Sequence, residues 1–279
     1  MYYELNNLIF SPVVTTRCNL RCNHCGYGCT SKNSNLDADS EKLMDSVRHL
    51  YKLFKEYKGD AIVQIGFLGG EPLLYKNLPK ILDFMSAECP DFNRDIVTNG
   101  LMAPYVDFEI LDAIQRNYFQ LDISRYPIKD YDYNKLLWFL HSLGIKAHVI
   151  ETEMQHIEGV KQTPNVQNWF HEHFYSSENI PTPFKDSNEC RQLLKGMACI
   201  VIWNEYILPC SNIFEVLNNQ ISDGKYLDIP ITDLDMFKVK NIMSIEDLIN
   251  ILYKNYPFCN YCHGGELREW STDTKVKLL

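Results

Sequence analysis

The sequence predicts an α/β chain, with a parallel sheet or barrel covered by helices. Three observations predict it. Strand-like and helix-like segments alternate about five times between residues 8 and 151. The segments have the lengths of β-α units, and such alternation builds parallel sheets. The alternation stops after Glu151, so a second kind of structure follows the first.

The elements can be taken in order. LIFSPVVTT, 8 to 16, reads as a buried strand. In DADSEKLMDSVRHLYKLFKEY, Leu43, Val47, Leu50 and Phe54 recur at helical spacing. AIVQIGFL, 61 to 68, is a second strand. NLPKILDFMSAE, 77 to 88, is a helix with proline just inside its start. FNRDIVT, 92 to 98, is a third strand that ends at Asn99-Gly100. VDFEILDAIQR, 106 to 116, is helical, and YFQLDIS, 118 to 124, is the fourth strand. YDYNKLLWFLHSLG is a helix that Gly144 stops, and IKAHVIE, 145 to 151, is the fifth strand. Beyond it, a helical piece is expected around NVQNWFHEHF, a hairpin over CIVIWNEYILPC turning at Asn204-Glu205, and a helix over 243 to 255.

Composition narrows the function classes. With 46% hydrophobic residues, the chain has enough apolar side chains for a core. Its 27 basic and 36 acidic residues give a net charge of −9. That argues against a general nucleic-acid or acidic-membrane binder, both of which need a basic face. No apolar run is long enough to span a bilayer, and MYYELNNLIF lacks the basic start and cleavage site of a signal peptide. A cytoplasmic chain is expected. In a reducing compartment, its ten cysteines lean towards metal rather than disulfides.

The cysteines fall into two groups. Cys18, Cys22 and Cys25 form CxxxCxxC directly after the first strand. Thiolates suit both iron–sulfur clusters and zinc, and three on one loop would leave a fourth iron of a cubane open. GFLGGEP, 66 to 72, and TNG, 98 to 100, end the second and third strands, on the rim where active sites of parallel folds lie. Cys190, Cys199, Cys210, Cys259 and Cys262 form the second group, for which a structural zinc site is the alternative to a cluster. Cys89 reads as a packing residue, and His148, on the fifth strand, as a satisfied core or pocket histidine. Glu151, at the end of the fifth strand, is a candidate base or substrate contact.

CNLRCNHC and GGEP together resemble the cluster loop and glycine motif of the radical S-adenosylmethionine (radical SAM) superfamily, over roughly residues 8 to 151. The resemblance implies a partial (β/α)6-type open barrel. It implies a [4Fe–4S] cluster held by Cys18, Cys22 and Cys25, with SAM on the open iron. Gly69, Gly70 and Glu71 would hold the SAM amino group. Thr98, Asn99, Asp122, Ser124 and Arg125 would make further polar contacts to SAM. His24 stands where the superfamily often has an aromatic residue near adenine. Cys29 is a candidate hydrogen donor to a substrate radical, with a small buried packing residue as the alternative.

The later cysteines resemble the SPASM or twitch extension of such enzymes, which implies an auxiliary [4Fe–4S] cluster. Cys210, Cys259 and Cys262 are the firmer ligands, with Cys190 and Cys199 competing for the fourth place. The usual glycine at the hairpin turn is replaced by Asn204-Glu205. A core over 1–185 and an extension over 186–279 are expected, the latter a small hairpin-plus-helix appendage. The implied activity is reductive SAM cleavage and hydrogen abstraction from a small polar substrate such as a sugar or aminocyclitol, with flavodoxin or ferredoxin as electron donor. A peptide maturase is the alternative. A non-catalytic iron–sulfur or zinc protein is the alternative from another class.

Overall fold

In the computed structural model the described residues are 7–22, 25, 27, 29, 35–57, 62–150, 169–172, 197–209, 237–253 and 266–269. The five expected strands form: β1 (Asn7–Pro12), β2 (Ile62–Phe67), β3 (Asp95–Thr98), β4 (Gln120–Ile123) and β5 (Lys146–Val149). Between them run α1 (Ser40–Glu56), α2 (Leu78–Glu88), α3 (Phe108–Arg116) and α4 (Tyr133–Ser142). All five strands pair in parallel.

Strand period decides what each face meets. Ile96, Leu121 and Ile123 are fully buried. They share a core with Ile81, Leu82 and Met85 of α2, Ile110 and Ile114 of α3, and Leu136 and Leu140 of α4. Each such side chain contributes about 1.5–3 kcal/mol when taken from water. The alternate residues Asp95, Gln120 and Asp122 are only partly buried, and His148 is exposed. A polar row therefore lies on the face away from the helices, because successive side chains of a strand point to opposite faces.

Helix ends follow local chemistry. Asp39 caps α1, its side chain accepting from the Glu41 and Lys42 amides at 3.0 and 3.2 Å. Leu43, Val47 and Leu50 face the core, together with Leu53, while Phe54 lies at the core's edge against Phe92. Gly144 stops α4 at φ +73°, a conformation glycine adopts without strain.

The sheet does not end at β1. Strand β7 (Met197–Trp203) pairs with it in parallel from Asn7↔Met197 to Pro12↔Ile202. Strand β8 (Tyr206–Leu208) returns antiparallel, so the hairpin turns at Asn204-Glu205 as expected. The strand order is β5-β4-β3-β2-β1-β7-β8, a mostly parallel open sheet consistent with a partial barrel. The hairpin thus extends the core sheet. Its turn is tied to α1: the Asp39 amide donates to Asn204 Oδ1 at 2.8 Å, and Ser46 donates to the Asn204 carbonyl at 2.6 Å.

One expectation is corrected. The stretch read as helical around NVQNWFHEHF contains strand β6 (Trp169–Glu172), which pairs antiparallel with β9 (Glu266–Glu269). Helix α5 (Ile245–Tyr253) forms inside the expected span. No helix among the described residues is long and apolar enough to cross a membrane.

Candidate active site

The cysteine loop leaves β1 at the C-terminal edge of the sheet, and its base is clamped. Thr15 donates to Asp37 Oδ1 at 2.7 Å. Arg17 grips both Asp37 oxygens at 2.9 Å and donates to the Leu74 carbonyl at 2.7 Å. Entry and exit of the loop are thereby held together, and Asp37 leads directly into the cap of α1. Within the loop, Leu20 and Cys22 pack with Leu101, and Cys18 and Tyr126 lie against them. Arg21 takes φ +47°, a left-handed turn between the first two cysteines.

Cys29 is buried, 2% exposed, and its titration is tied to that of Cys18 and Cys25. The bond from Cys29 pulls the Cys25 thiol down to about 7, against the effect of burial. The bonds to Cys18 and Cys25, and then burial, push Cys29 well above the ordinary thiol range. Among the described residues no three cysteine, histidine or acidic side chains are preset as a metal group. Their donor chemistry still fits a cluster: soft thiols on one short loop, partly shielded from water.

The glycine motif lies directly beneath. The Gly70 and Glu71 amides donate to the Thr15 and Arg17 carbonyls, each at 2.7 Å. A Cβ on Gly69, at φ +136°, would come within 2.5 Å of the Thr15 carbonyl oxygen, and one on Gly70 within 2.0 Å of the Arg17 oxygen. Both glycines are therefore demanded by the approach of this segment to the base of the cysteine loop. The carbonyls of Gly69 and Gly70 accept no backbone hydrogen bond among the described residues.

Glu71 is fully buried and joins two rim segments. Its Oε1 accepts from Thr98 at 2.6 Å and from the Leu73 amide at 3.1 Å, and its Oε2 from the Asn99 amide at 3.0 Å. Burial raises its pKa, and these three donors oppose the rise. Asn99 in turn donates to Asn19 Oδ1 at 2.8 Å, which reaches back into the cysteine loop. The three sequence motifs meet as one hydrogen-bonded unit.

The remaining candidates are spread more widely. The Ser124 amide donates to the Thr98 carbonyl at 2.8 Å. Arg125 is exposed and lies over the Tyr133 ring at 5.6 Å. Asp122, the penultimate residue of β4, lies on the polar face, where its Oδ1 accepts from Gln120 at 3.0 Å and lies 3.4 Å from His148 Nδ1. A cleft of about 360 Å³ opens beside them, lined by Gln120, His141, Lys146 and His148 among others. Cys199 belongs to β7, opposite Ile9 in register. His24, Glu151, Cys190, Cys210, Cys259 and Cys262 lie outside the described residues.

Sequence reasoning missed Asn19, the Arg17–Asp37 clamp and Tyr126. Burial, and then the negative charge of the Cys22, Cys25 and Cys18 thiolates, push the Tyr126 hydroxyl well above its ordinary range, which marks it as a neighbour of the loop. Its only sequence signal was an aromatic residue just past the fourth strand.

Comparison with known proteins agrees with this geometry. Residues 13–135 match the model of the radical SAM superfamily. GTP 3′,8-cyclase of Clostridium acetobutylicum is 31% identical over 101 residues, which are 36% of this chain and 30% of that protein. GTP 3′,8-cyclase of Campylobacter curvus is 31% identical over 104 residues, again 36% and 30%. The chain thus spans about a third of the length of the curated relatives it matches. The crystal structure of BtrN in complex with AdoMet and 2-DOIA superposes with a TM-score of 0.52 at 15% identity, covering 91% of this chain and 92% of that one. That likeness is one of fold, and it runs through nearly the whole chain. The clamped cysteine loop, the glycine motif beneath it and the TNG rim tied to both all fall within residues 13–135, the stretch that matches the radical SAM superfamily model.

Proposed function

We propose that the chain is a radical SAM enzyme acting on a small polar substrate of the sugar or aminocyclitol type. Cys18, Cys22 and Cys25 would hold a [4Fe–4S] cluster, to which SAM would bind. When bound, cluster and SAM supply a 5′-deoxyadenosyl radical that takes a hydrogen atom from the substrate. The chain's own residues bind and orient. The Gly69 and Gly70 carbonyls face no backbone donor among the described residues and suit the SAM ammonium. Glu71, Thr98 and Asn99 fix the height of that segment against the cysteine loop. Arg125 is exposed near the rim and suits the SAM carboxylate. The observation that carries the reading is this single unit of three motifs.

The polar face supports the substrate class. Asp122, Gln120 and His148 on that face offer acceptors and donors to hydroxyl or amino groups. Cys210, Cys259, Cys262 and either Cys190 or Cys199, within an extension over 186–279, would hold a second cluster, which would supply one-electron chemistry. Flavodoxin or ferredoxin would supply the reducing electron. The activity named for the cyclase relatives is not carried over, since the match covers about a third of those proteins.

The test is anaerobic. The protein is reconstituted with iron and sulfide, reduced with dithionite and given SAM, and 5′-deoxyadenosine is measured by mass spectrometry. Its formation is expected, with loss in Cys22→Ala. If SAM neither reacts nor alters the cluster signal, the reading fails, and a zinc or scaffold protein takes its place.

A further inference from the structure

The sheet face turned away from the helices holds a hollow with charged walls. Gly66 of β2, Asp95 of β3 and Gln120 of β4 stand side by side in register. Asp122 and His148, paired across β4 and β5, form the next row towards the rim. Residues two apart on a strand share a face, so both rows line the same side of the sheet. Gly66 is buried, yet a Cβ on it would meet nothing within 4 Å. Room is therefore left in front of β2, beside Asp95.

The walls are short of partners. Asp95 is partly buried, and its carboxylate makes no hydrogen bond or ion pair among the described residues. Burial, and then the charge of Asp122, raise its pKa. Asp122 engages the described residues through Oδ1 alone, towards Gln120 and His148. The His148 side chain is 52% exposed, with Nδ1 3.4 Å from that oxygen. A neutral imidazole turned this way carries its proton on Nδ1 and leaves Nε2 as an acceptor. Lys146, opposite Gln120 in register, is exposed and makes no ion pair with either aspartate. A partly buried carboxylate without a donor is costly, and a cation placed beside it offsets that cost.

We propose that this hollow is the substrate subsite and that it selects a substrate bearing an ammonium group beside a hydroxyl, with Asp95 and Asp122 on the ammonium and His148 Nε2 accepting from the hydroxyl. The inference deepens the functional reading proposed above and rests on it. It favours an aminocyclitol or amino sugar over a neutral sugar, because a neutral hydroxyl leaves the charge of two carboxylates uncompensated. His148, read from the sequence as a satisfied core or pocket histidine, becomes a specificity-determining residue.

The test uses the full chain, reconstituted with iron and sulfide, given SAM and left unreduced so that SAM is not consumed. Scyllo-inosamine and scyllo-inositol, which differ by one amino group in place of one hydroxyl, are titrated by calorimetry. The inosamine is expected to bind at least about tenfold more tightly, the scale of a charge-assisted hydrogen bond. Asp95→Asn and Asp122→Asn are each expected to shrink that preference and to change inositol binding little. His148→Gln is expected to weaken both ligands alike, since both carry the hydroxyl. Gly66→Leu fills the hollow and is expected to abolish binding of both while circular dichroism stays unchanged; if it does not fold, the aspartate variants still decide. Equal affinity for the two ligands, no binding of either, or a preference that survives both aspartate variants overturns the inference. The 5′-deoxyadenosine assay without added ligand separates the two levels. If SAM is cleaved there, only the inference falls; if SAM is neither cleaved nor alters the cluster signal, the functional reading falls with it.

Discussion

At the scale of single residues, the motifs do more structural work than their sequence pattern reveals. Gly70 reads as a residue that lets backbone approach a ligand. In the structure its missing Cβ lets residues 69–71 dock on residues 15–17. Gly70→Ala is therefore expected to cost at least about 1–3 kcal/mol, the range for overpacking, and to lower cluster content after reconstitution. Gly66→Ala is the control: a Cβ there meets nothing within 4 Å, and urea midpoints should hardly move. Glu71 carries a pH signature. Burial holds its carboxyl above the ordinary value of 4.5, so the folded state takes up the proton before the unfolded chain does. Its contribution to stability is complete below 4.5 and falls as pH rises through the folded value. Glu71→Gln puts an amide NH2 where two oxygens now accept, leaving a donor unmatched at about 1–3 kcal/mol. Urea titrations from pH 7 towards 4.5 should show the wild type gaining stability relative to that variant. The cysteines, GGEP and TNG were legible because residue type and spacing are visible in one dimension. Asn19 and Tyr126 were not, because their partners lie about 80 and 100 residues away in sequence.

At the scale of elements, periodicity located β1 to β5 and α1 to α4 because each buries one face and its own residues show it. It misread residues 169–172, where Trp and Phe favour a strand but the pairing partner at 266–269 lies almost a hundred residues on. The β7–β8 hairpin was legible, but the edge it joins was not, since nothing in residues 197–203 names β1 as neighbour. The structure also explains the absent glycine at its turn. Asn204 sits at φ +52°, which asparagine tolerates, and its side chain accepts the Asp39 amide at the cap of α1. Glycine would supply the turn but not the tie. Asn204→Ala is expected to cost about 1–2 kcal/mol for the left-handed backbone, plus the lost hydrogen bond. Asn204→Gly should lose only the smaller, hydrogen-bond part. Thermal denaturation of the two variants separates turn strain from docking, and equal losses would refute this account.

At the scale of the whole molecule, the question is whether the segment after 185 is an appendage or part of the core. The sequence places the divide there because the β-α alternation has already stopped. The sheet continues across it. Strand β7 covers the open edge of β1 over its full length, and Ile200, Val201, Ile202, Ile207 and Leu208 are buried. Phe237, Val239, Ile242, Ile245 and Leu248 belong to the same hydrophobic core as Leu8, Phe10 and Leu43. His49 of α1 holds the Ile242 carbonyl at 2.7 Å, fastening this late segment to the first helix. Removing residues 186–279 would expose that apolar surface and leave β1 with unpaired backbone, a template for aggregation. A fragment of residues 1–185 is thus expected to be insoluble or to unfold without a cooperative transition. The full chain should show one main transition that includes α1 and β1. Circular dichroism and urea titration of the two proteins decide it. A fragment that unfolds cooperatively near the full chain's midpoint would show that the first 185 residues form an independent domain. Cluster reconstitution couples this to function, because the loop of Cys18, Cys22 and Cys25 starts from β1, and a frayed β1 has no fixed point from which to present it.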